Sequence, residues 1–442
     1  MRRFVGVAAV VLLGLSLLAP SVDATSQPVA GAPFFNTWAR TDYLVTTGVV
    51  SRTWMWGPQA DSVVLDEPYA ESPGGMREVQ YFDKSRMEIT HPNGDPSSIW
   101  YVTNGLLAEE LITGRMQLGD NTFHQYAPAQ VNVAGDLNDP NGPTYASFSG
   151  LISSPPLPTG SQVTQTVNRA GQVGNDPNVG GVPVIALDTG APTHHTVASV
   201  FWTFMTSAGP VAQDGRSDGG PLFQNPFYAT GYPITEPYWT TVLVGGVSRQ
   251  VLVQVFERRV LTYTPTNPPG WQVESGNVGL QYYQWRYVQL GLTPTPAPNP
   301  PQSPPSPSSI ASVMARTVES NDPTEHFTPV APLAVDDGQG GVLTAVVGTR
   351  YPTADGYGQL VFFWHNQSFL GWDSSTESVA IAKLTSPAPG VIAVTYVHYA
   401  PSDPLCCPSL APVTVTYSWN GTVLQPSGSP PSPNGITVEL TP

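Results

Sequence analysis

The carboxylates and histidines of this chain are not spaced for any familiar catalytic chemistry. Seven histidines, His91, His124, His194, His195, His326, His365 and His398, are scattered, and none has the spacing of a metal-binding pair. His194-His195 stands just before a helical pattern, which predicts surface or capping imidazoles. Glu109-Glu110 would supply one acid of a glycosidase pair, but nothing fixes a partner carboxylate about 5 to 9 Å away. An acid pair assembled from distant segments, drawn from Glu67, Glu109 and Glu236, would make the protein a polysaccharide-active hydrolase; this is the alternative reading. Gly-x-Ser-x-Gly, phosphate-loop and dinucleotide patterns are absent from the sequence. The sequence therefore assigns no catalytic residue, no cofactor and no metal ligand.

Two oxygen-rich stretches resemble calcium loops: Asp136-Leu137-Asn138-Asp139-Pro140-Asn141-Gly142 and Asp336-Asp337-Gly338-Gln339-Gly340-Gly341. Pro140 stands where a ligand belongs, and Asx-turn clusters are the better reading of both. The only cysteines, Cys406 and Cys407, are adjacent, so they would close a vicinal disulfide ring or remain two buried thiols. Aromatic side chains are the richer signal. Trp54, Trp56, Tyr232, Tyr238, Trp239, Trp271 and Trp285 are candidate binding residues, because flat amphipathic rings stack on sugar faces or anchor protein partners. The competing reading is that they fill the core of small units.

The elements that would position these residues recur. Glu67-Pro68-Tyr69, Gly74-Gly75, Val79-Gln80-Tyr81-Phe82 and Trp100 return in order as Glu236-Pro237-Tyr238, Gly245-Gly246, Val253-Gln254-Val255-Phe256 and Trp271. The offsets of 236 − 67 = 169, 245 − 74 = 171, 253 − 79 = 174 and 271 − 100 = 171 drift only as loop lengths would. A repeat that keeps turns, apolar positions and aromatics but no acid pair reads as a duplicated scaffold or binding surface. Each unit opens with a helical pattern, at Phe34, Phe35, Trp38 and Asp42 and at Val200, Phe201, Phe204 and Met205. Each closes with another, at residues 105–112 and 277–290. Between them lies strand pattern, and the charged bends Asp83-Lys84-Ser85-Arg86 and Glu257-Arg258-Arg259 predict a bent strand or bulged hairpin.

Length and composition bound the rest. The 442 residues suit about three domains. Charged residues make up 11%, and 42 Gly and 48 Pro favour turn-rich β structure. A net charge of −15 leaves no basic stripe for phosphates, so nucleic acid is not an expected partner. Met1-Arg2-Arg3, an apolar run over residues 4–18 and Ser21-Val22-Asp23-Ala24 read as a secretory signal cleaved after Ala24. No membrane span is expected after its removal, and the mature protein is expected to be secreted, extracellular or on the cell surface.

The expected organisation is a signal peptide at 1–24, repeat unit one at 25–119, a β-rich insert at 120–191 and repeat unit two at 192–292. A Pro-rich linker follows at 293–309, then a β domain at 310–442. At about 3.1 Å per residue the linker would hold its neighbours up to ~50 Å apart. The last domain shows strand patterns at 342–347, 360–364, 379–384, 391–399 and 413–419. The fold class is α+β: duplicated helix-plus-hairpin units, then a mostly antiparallel β domain.

Two resemblances add to this. Gly231-Tyr232-Pro233-Ile234-Thr235-Glu236, with Gly245-Gly246 and Phe256, resembles the LGFP repeat of secreted actinobacterial envelope proteins, which implies a non-catalytic wall-associated module. Glu257-Arg258-Arg259 replaces the glycine turn of that repeat. The region before the linker is also similar to uncharacterised exported bacterial proteins. Asp336-Asp337-Gly338, Phe362-Phe363-Trp364-His365, Phe369-Leu370-Gly371, Val394-Thr395-Tyr396, Asp403-Pro404-Leu405-Cys406-Cys407-Pro408-Ser409 and Tyr417-Ser418-Trp419-Asn420-Gly421 resemble the LppP/LprE lipoprotein family. That resemblance implies an exported envelope domain without known catalytic residues, and the lipidated cysteine is missing here. The expected work is binding, with cell-wall polysaccharide or an envelope protein as partner.

Overall fold

The computed structural model describes residues 26–353, 357–404, 406–431 and 438–441; the expected signal peptide lies outside them. Strand outweighs helix, and the sheets are mostly antiparallel. Helix α1 (Ala32–Trp38) continues through a π-helical turn at Ala39–Tyr43. Strands β1 (Leu65–Pro68), β2 (Met76–Phe82), β3 (Ser85–Ile89) and β4 (Thr103–Asn104) form an antiparallel meander, followed by helix α2 (Leu107–Thr113). After the insert come α3 (Ser199–Met205) and a second antiparallel meander of β5 (Tyr238–Val244), β6 (Val247–Val255), β7 (Val260–Tyr263) and β8 (Val273–Ser275). Helix α4 (Val278–Tyr283) then runs into a π-helical turn at Gln284–Gln289.

The β5–β6 hairpin turns at Gly245-Gly246, both with positive φ, as a two-residue turn matched to strand twist requires. The charged bends differ from the expected bent strand or bulge. Phe82 pairs with Ser85, so Asp83-Lys84 is a tight two-residue turn; the Phe256 amide likewise donates to the Arg259 carbonyl at 2.8 Å. The reason is tertiary. The Asp83 carbonyl accepts the Gly279 amide of α4 at 3.2 Å, and the Glu257 carbonyl accepts the Glu109 amide of α2 at 3.0 Å. Each unit's turn thus satisfies orphan amides at the start of the other unit's closing helix. Lys84 Nζ also donates to Asn277 Oδ1 (2.6 Å), and Arg258 Nη1 to the Asn104 carbonyl (2.7 Å).

A buried glutamine clamps each meander to the segment entering its opening helix. Gln80 Oε1 accepts the Ala30 amide (3.0 Å) while its Nε2 donates to the Pro28 and Ser62 carbonyls (2.9 and 3.0 Å). Gln254 Oε1 accepts the Ala198 amide (3.1 Å) while its Nε2 donates to the Thr196 and Thr235 carbonyls (2.6 and 3.0 Å). One apolar core runs through both units, joining Leu65, Val79 and Leu111 to Tyr238, Val253 and Tyr282.

Residues 120–191 carry only short strands, such as Gln165–Val167, Val173–Asn175 and Ala186–Leu187, with a helical turn at Tyr145–Phe148. The insert is therefore mostly irregular rather than β-rich. Its carboxylates satisfy backbone of the unit it covers: the Asp136 side chain accepts the amides of Gly245 and Gly246 (2.9 and 2.7 Å), and that of Asp139 accepts the Leu243 amide (2.8 Å).

The proline tract is not a free spacer. Thr295–Pro296 pairs with β1, the Ala297 amide donates to the Val64 carbonyl (3.0 Å), and Gln302 bridges the backbones of Gly31 and Gly340. By Pro307 the chain is already in helix α5 (Pro307–Arg316). The C-terminal lobe packs a six-stranded sheet on a four-stranded one. In the strand Gln359–His365, Val361 and Phe363 face the second sheet, while Leu360, Phe362 and Trp364 face α1 and α5, so its apolar run is continuous. Asn36 on α1 bonds both backbone groups of Ala334 (2.7 and 2.9 Å), covering a stretch of sheet edge.

Gly279 sits where any methyl group would run into the carbonyl oxygens of Phe82 and Ser85. Gly279→Ala should therefore destabilise the protein by about 3 kcal/mol, despite the better helix propensity of alanine. Urea unfolding of the two forms measures it.

Candidate functional site

The sequence-derived binding residues divide by burial. Trp56, Tyr238, Trp239 and Trp285 are each 1% exposed. Tyr238 meets Phe148 edge-on (6.2 Å), Trp239 donates its indole N–H to the Val163 carbonyl (3.0 Å), and Trp285 packs on Tyr282 (5.5 Å). These three rings serve the core and offer a ligand no open face. Trp56 lies beneath the Arg259 guanidinium at 4.7 Å, on the wall of a cleft between the lobes. Trp54, Tyr232 and Trp271 are half-buried; Trp271 bonds Ser51 (3.3 Å) and Tyr232 leans on Phe227 (4.8 Å).

The ring best placed to meet a ligand is Trp100, 47% exposed at the mouth of a polar cleft of about 350 Å³. Tyr69, Arg77, Glu88, Tyr101 and Arg258 line it. Arg77 Nη1 donates to Glu88 (2.9 Å) and its guanidinium lies 4.5 Å from the Tyr69 ring centre, while the Tyr69 hydroxyl donates to Asp120 (2.7 Å). The loop carrying Trp100 is set by its own turns: Asp95 accepts the Ser97 amide (2.9 Å), and the Tyr101 amide donates to the Ser98 carbonyl (3.0 Å). A flat ring beside fixed ions and hydroxyls can hold the apolar face of a sugar while binding its hydroxyl groups. Trp100 was visible in the sequence as the partner of Trp271, but nothing there distinguished its exposure.

Beneath this cleft lies a buried ionic cluster. Glu88 Oε1 accepts from Arg86 Nε (2.8 Å), Arg86 Nη1 donates to Glu67 Oε2 (2.8 Å), and Arg286 of the second unit stands 3.5 Å from Glu67 Oε1. The Tyr81 and Tyr287 hydroxyls also donate to Glu67 (2.6 and 2.7 Å). Burial alone would raise the Glu67 carboxyl, but Arg286, Arg86 and Arg77 outweigh it and hold the group at about 2. Glu110 accepts from the Tyr282 hydroxyl, and burial lifts its carboxyl to about 7 against the pull of Arg86.

Glu236 is equally occupied, accepting from the Leu157 and Thr196 amides (3.0 Å each), the Thr196 hydroxyl and the His195 ring (3.0 Å). His195 is therefore buried against a carboxylate, not at the surface as its position before a helix suggested. Asp336 and Asp337 accept amides of their own loop, and Asp337 also binds the His365 ring (2.8 Å), which stacks on Trp419. Among the described residues no group of three or more metal-binding side chains converges. Cys406 and Cys407 are joined as an adjacent disulfide in an exposed loop.

Residues 327–422 match the model of the LppP/LprE lipoprotein family. The LGFP resemblance of the second unit finds no support among family models. No curated protein and no solved structure matches the chain. Among the described residues no helix is long and apolar enough to cross a membrane.

The raised Glu110 carboxyl has a stability consequence. It stays protonated in the folded protein up to about 7, whereas an unfolded glutamate ionises near ~4.3, so between these values the native state holds the extra proton. Stability should fall as pH rises through that window, with Glu110 contributing at most about 4 kcal/mol. Asp373, also raised to about 7 by burial, adds to the slope. Denaturant unfolding across the window should give a flatter profile for Glu110→Gln than for the parent.

Proposed function

We propose that this is an exported, non-catalytic protein of the bacterial cell envelope that binds wall glycan, with the Trp100 cleft as its contact. The family match of the C-terminal lobe supports the envelope setting. The observation that carries the binding reading is the half-exposed Trp100 ring beside the Arg77–Glu88 pair. We read the two meanders as copies of one unit, because Gln80 and Gln254 clamp corresponding backbone positions in the same way. In this reading duplication built the scaffold, and divergence placed the Trp100 cleft on one copy.

The hydrolase alternative is weakened by the state of its acids. Glu67 and Glu236 spend their oxygens on internal donors, which leaves neither of these two free to attack or protonate a glycosidic bond.

The full chain should be retained on insoluble cell-wall polysaccharide without releasing reducing sugar. Trp100→Ala should lower retention about ten-fold, the loss of one stacking contact worth roughly 1.4 kcal/mol, with little change in melting temperature. Sugar release by the parent would favour the hydrolase, and equal retention of both forms would move the contact elsewhere.

A further inference from the structure

A second cleft, of about 540 Å³, opens where the two lobes meet. It shares only Ser98 and Tyr101 with the Trp100 cleft and differs from it in chemistry. Its surface is mainly apolar, built from Met55, Trp56, Phe223 and Tyr228 on one side and Leu333 and Val335 of the C-terminal lobe on the other. A concave, largely apolar site of this size at a domain junction suits a small molecule, since such sites run to roughly 300–1,000 Å³.

The charges on the wall decide which small molecule. Arg40 reaches the cleft from the π-helical turn after α1. Its Nη1 and Nη2 donate to the Leu222 and Pro221 carbonyls (3.0 and 2.8 Å), but Nε is buried without an acceptor. No carboxylate pairs with it among the described residues. Its ionisable neighbours, Arg52 and Tyr228, carry no negative charge at neutral pH. The one acid on the wall, Asp336, belongs to the C-terminal lobe and accepts the Gly338 amide (2.7 Å). A half-buried guanidinium lacking a counter-ion beside an apolar surface is complementary to an anion that carries its own apolar body.

We propose that this cleft binds an anionic amphiphile of the fatty-acid type, its head group at Arg40 and its hydrocarbon chain along Trp56, Phe223 and Leu333. Because both lobes supply the walls, the ligand bridges them, and the site exists only in the assembled chain.

Calorimetric titration of the full chain with dodecanoate, below micelle formation, tests this against dodecyltrimethylammonium, which has the same tail and the opposite charge. Dodecanoate should saturate one site and bind at least about ten-fold more tightly than the ammonium. Arg40→Gln should erase that preference while leaving weak tail binding. Ser386→Trp, a change at an exposed rim position, should obstruct the cleft and weaken dodecanoate about ten-fold or more with the melting temperature unchanged. Absence of saturable binding, equal affinity for the two head groups, or binding untouched by either substitution overturns the proposal. So does binding that occurs only as the protein unfolds.

Discussion

The interaction on which the N-terminal region depends is the buried cluster of Glu67, Arg86, Glu88, Arg77 and Arg286. Taking such charges out of water is expensive, and the arrangement holds only because Glu88 faces the guanidinium groups of Arg77 and Arg86 while Glu67 faces that of Arg86 and the phenolic donors of Tyr81 and Tyr287, at 2.6 to 2.9 Å. Removing one member would strand the others, a loss on the order of 3–5 kcal/mol. The cluster also sets the geometry. Glu67, Arg77, Arg86 and Glu88 come from three strands of one meander, and Arg286 comes from the end of the other unit's closing helix. The charges therefore fix how the two units face each other, and the floor of the Trp100 cleft inherits that rigidity through Arg77.

The reciprocal turn-to-helix contacts act in the same direction. A turn without glycine or asparagine lacks a local reason to be tight. Here the reason is an amide from the opposite helix, which only the assembled pair supplies. That is why Asp83-Lys84 and Glu257-Arg258 were legible as bends but not as two-residue turns. Arg259 shows the same limit. The sequence marked it only as part of a charged bend, yet it is buried over the Trp56 ring and donates to the Met55 carbonyl and to Asn104 (2.9 Å), and burial brings it down to about 10.

What the sequence made visible were features with a local cause. The apolar runs of the C-terminal strands, the Gly-Gly turn of the second unit and the closing helices ending near Gly114 and Gly291 follow from side-chain pattern and backbone permissiveness. Candidate rings were legible as aromatics but not as exposed or buried, because Trp100 and Trp285 have the same composition signal and opposite surroundings. The proline tract misled for a physical reason. Its composition excludes regular ladders, but Thr295 and Ala297 between the prolines keep backbone groups able to bond an edge strand, and β1 has a free edge there.

That docking of the tract changes how force would pass through the molecule. A free polyproline spacer takes up tension by straightening before either neighbour is loaded. Here the segment is stitched to the first sheet by Thr295–Pro296 and Ala297, and Gln302 ties Gly31 to Gly340 across the lobes, so there is no slack. A pull on the C-terminal lobe arrives at once at the edge of β1, the strand that carries Glu67. Tension between the lobes therefore runs through the hydrogen bonds that hold the tract to β1, Gly31 and Gly340 instead of being taken up as slack in a linker.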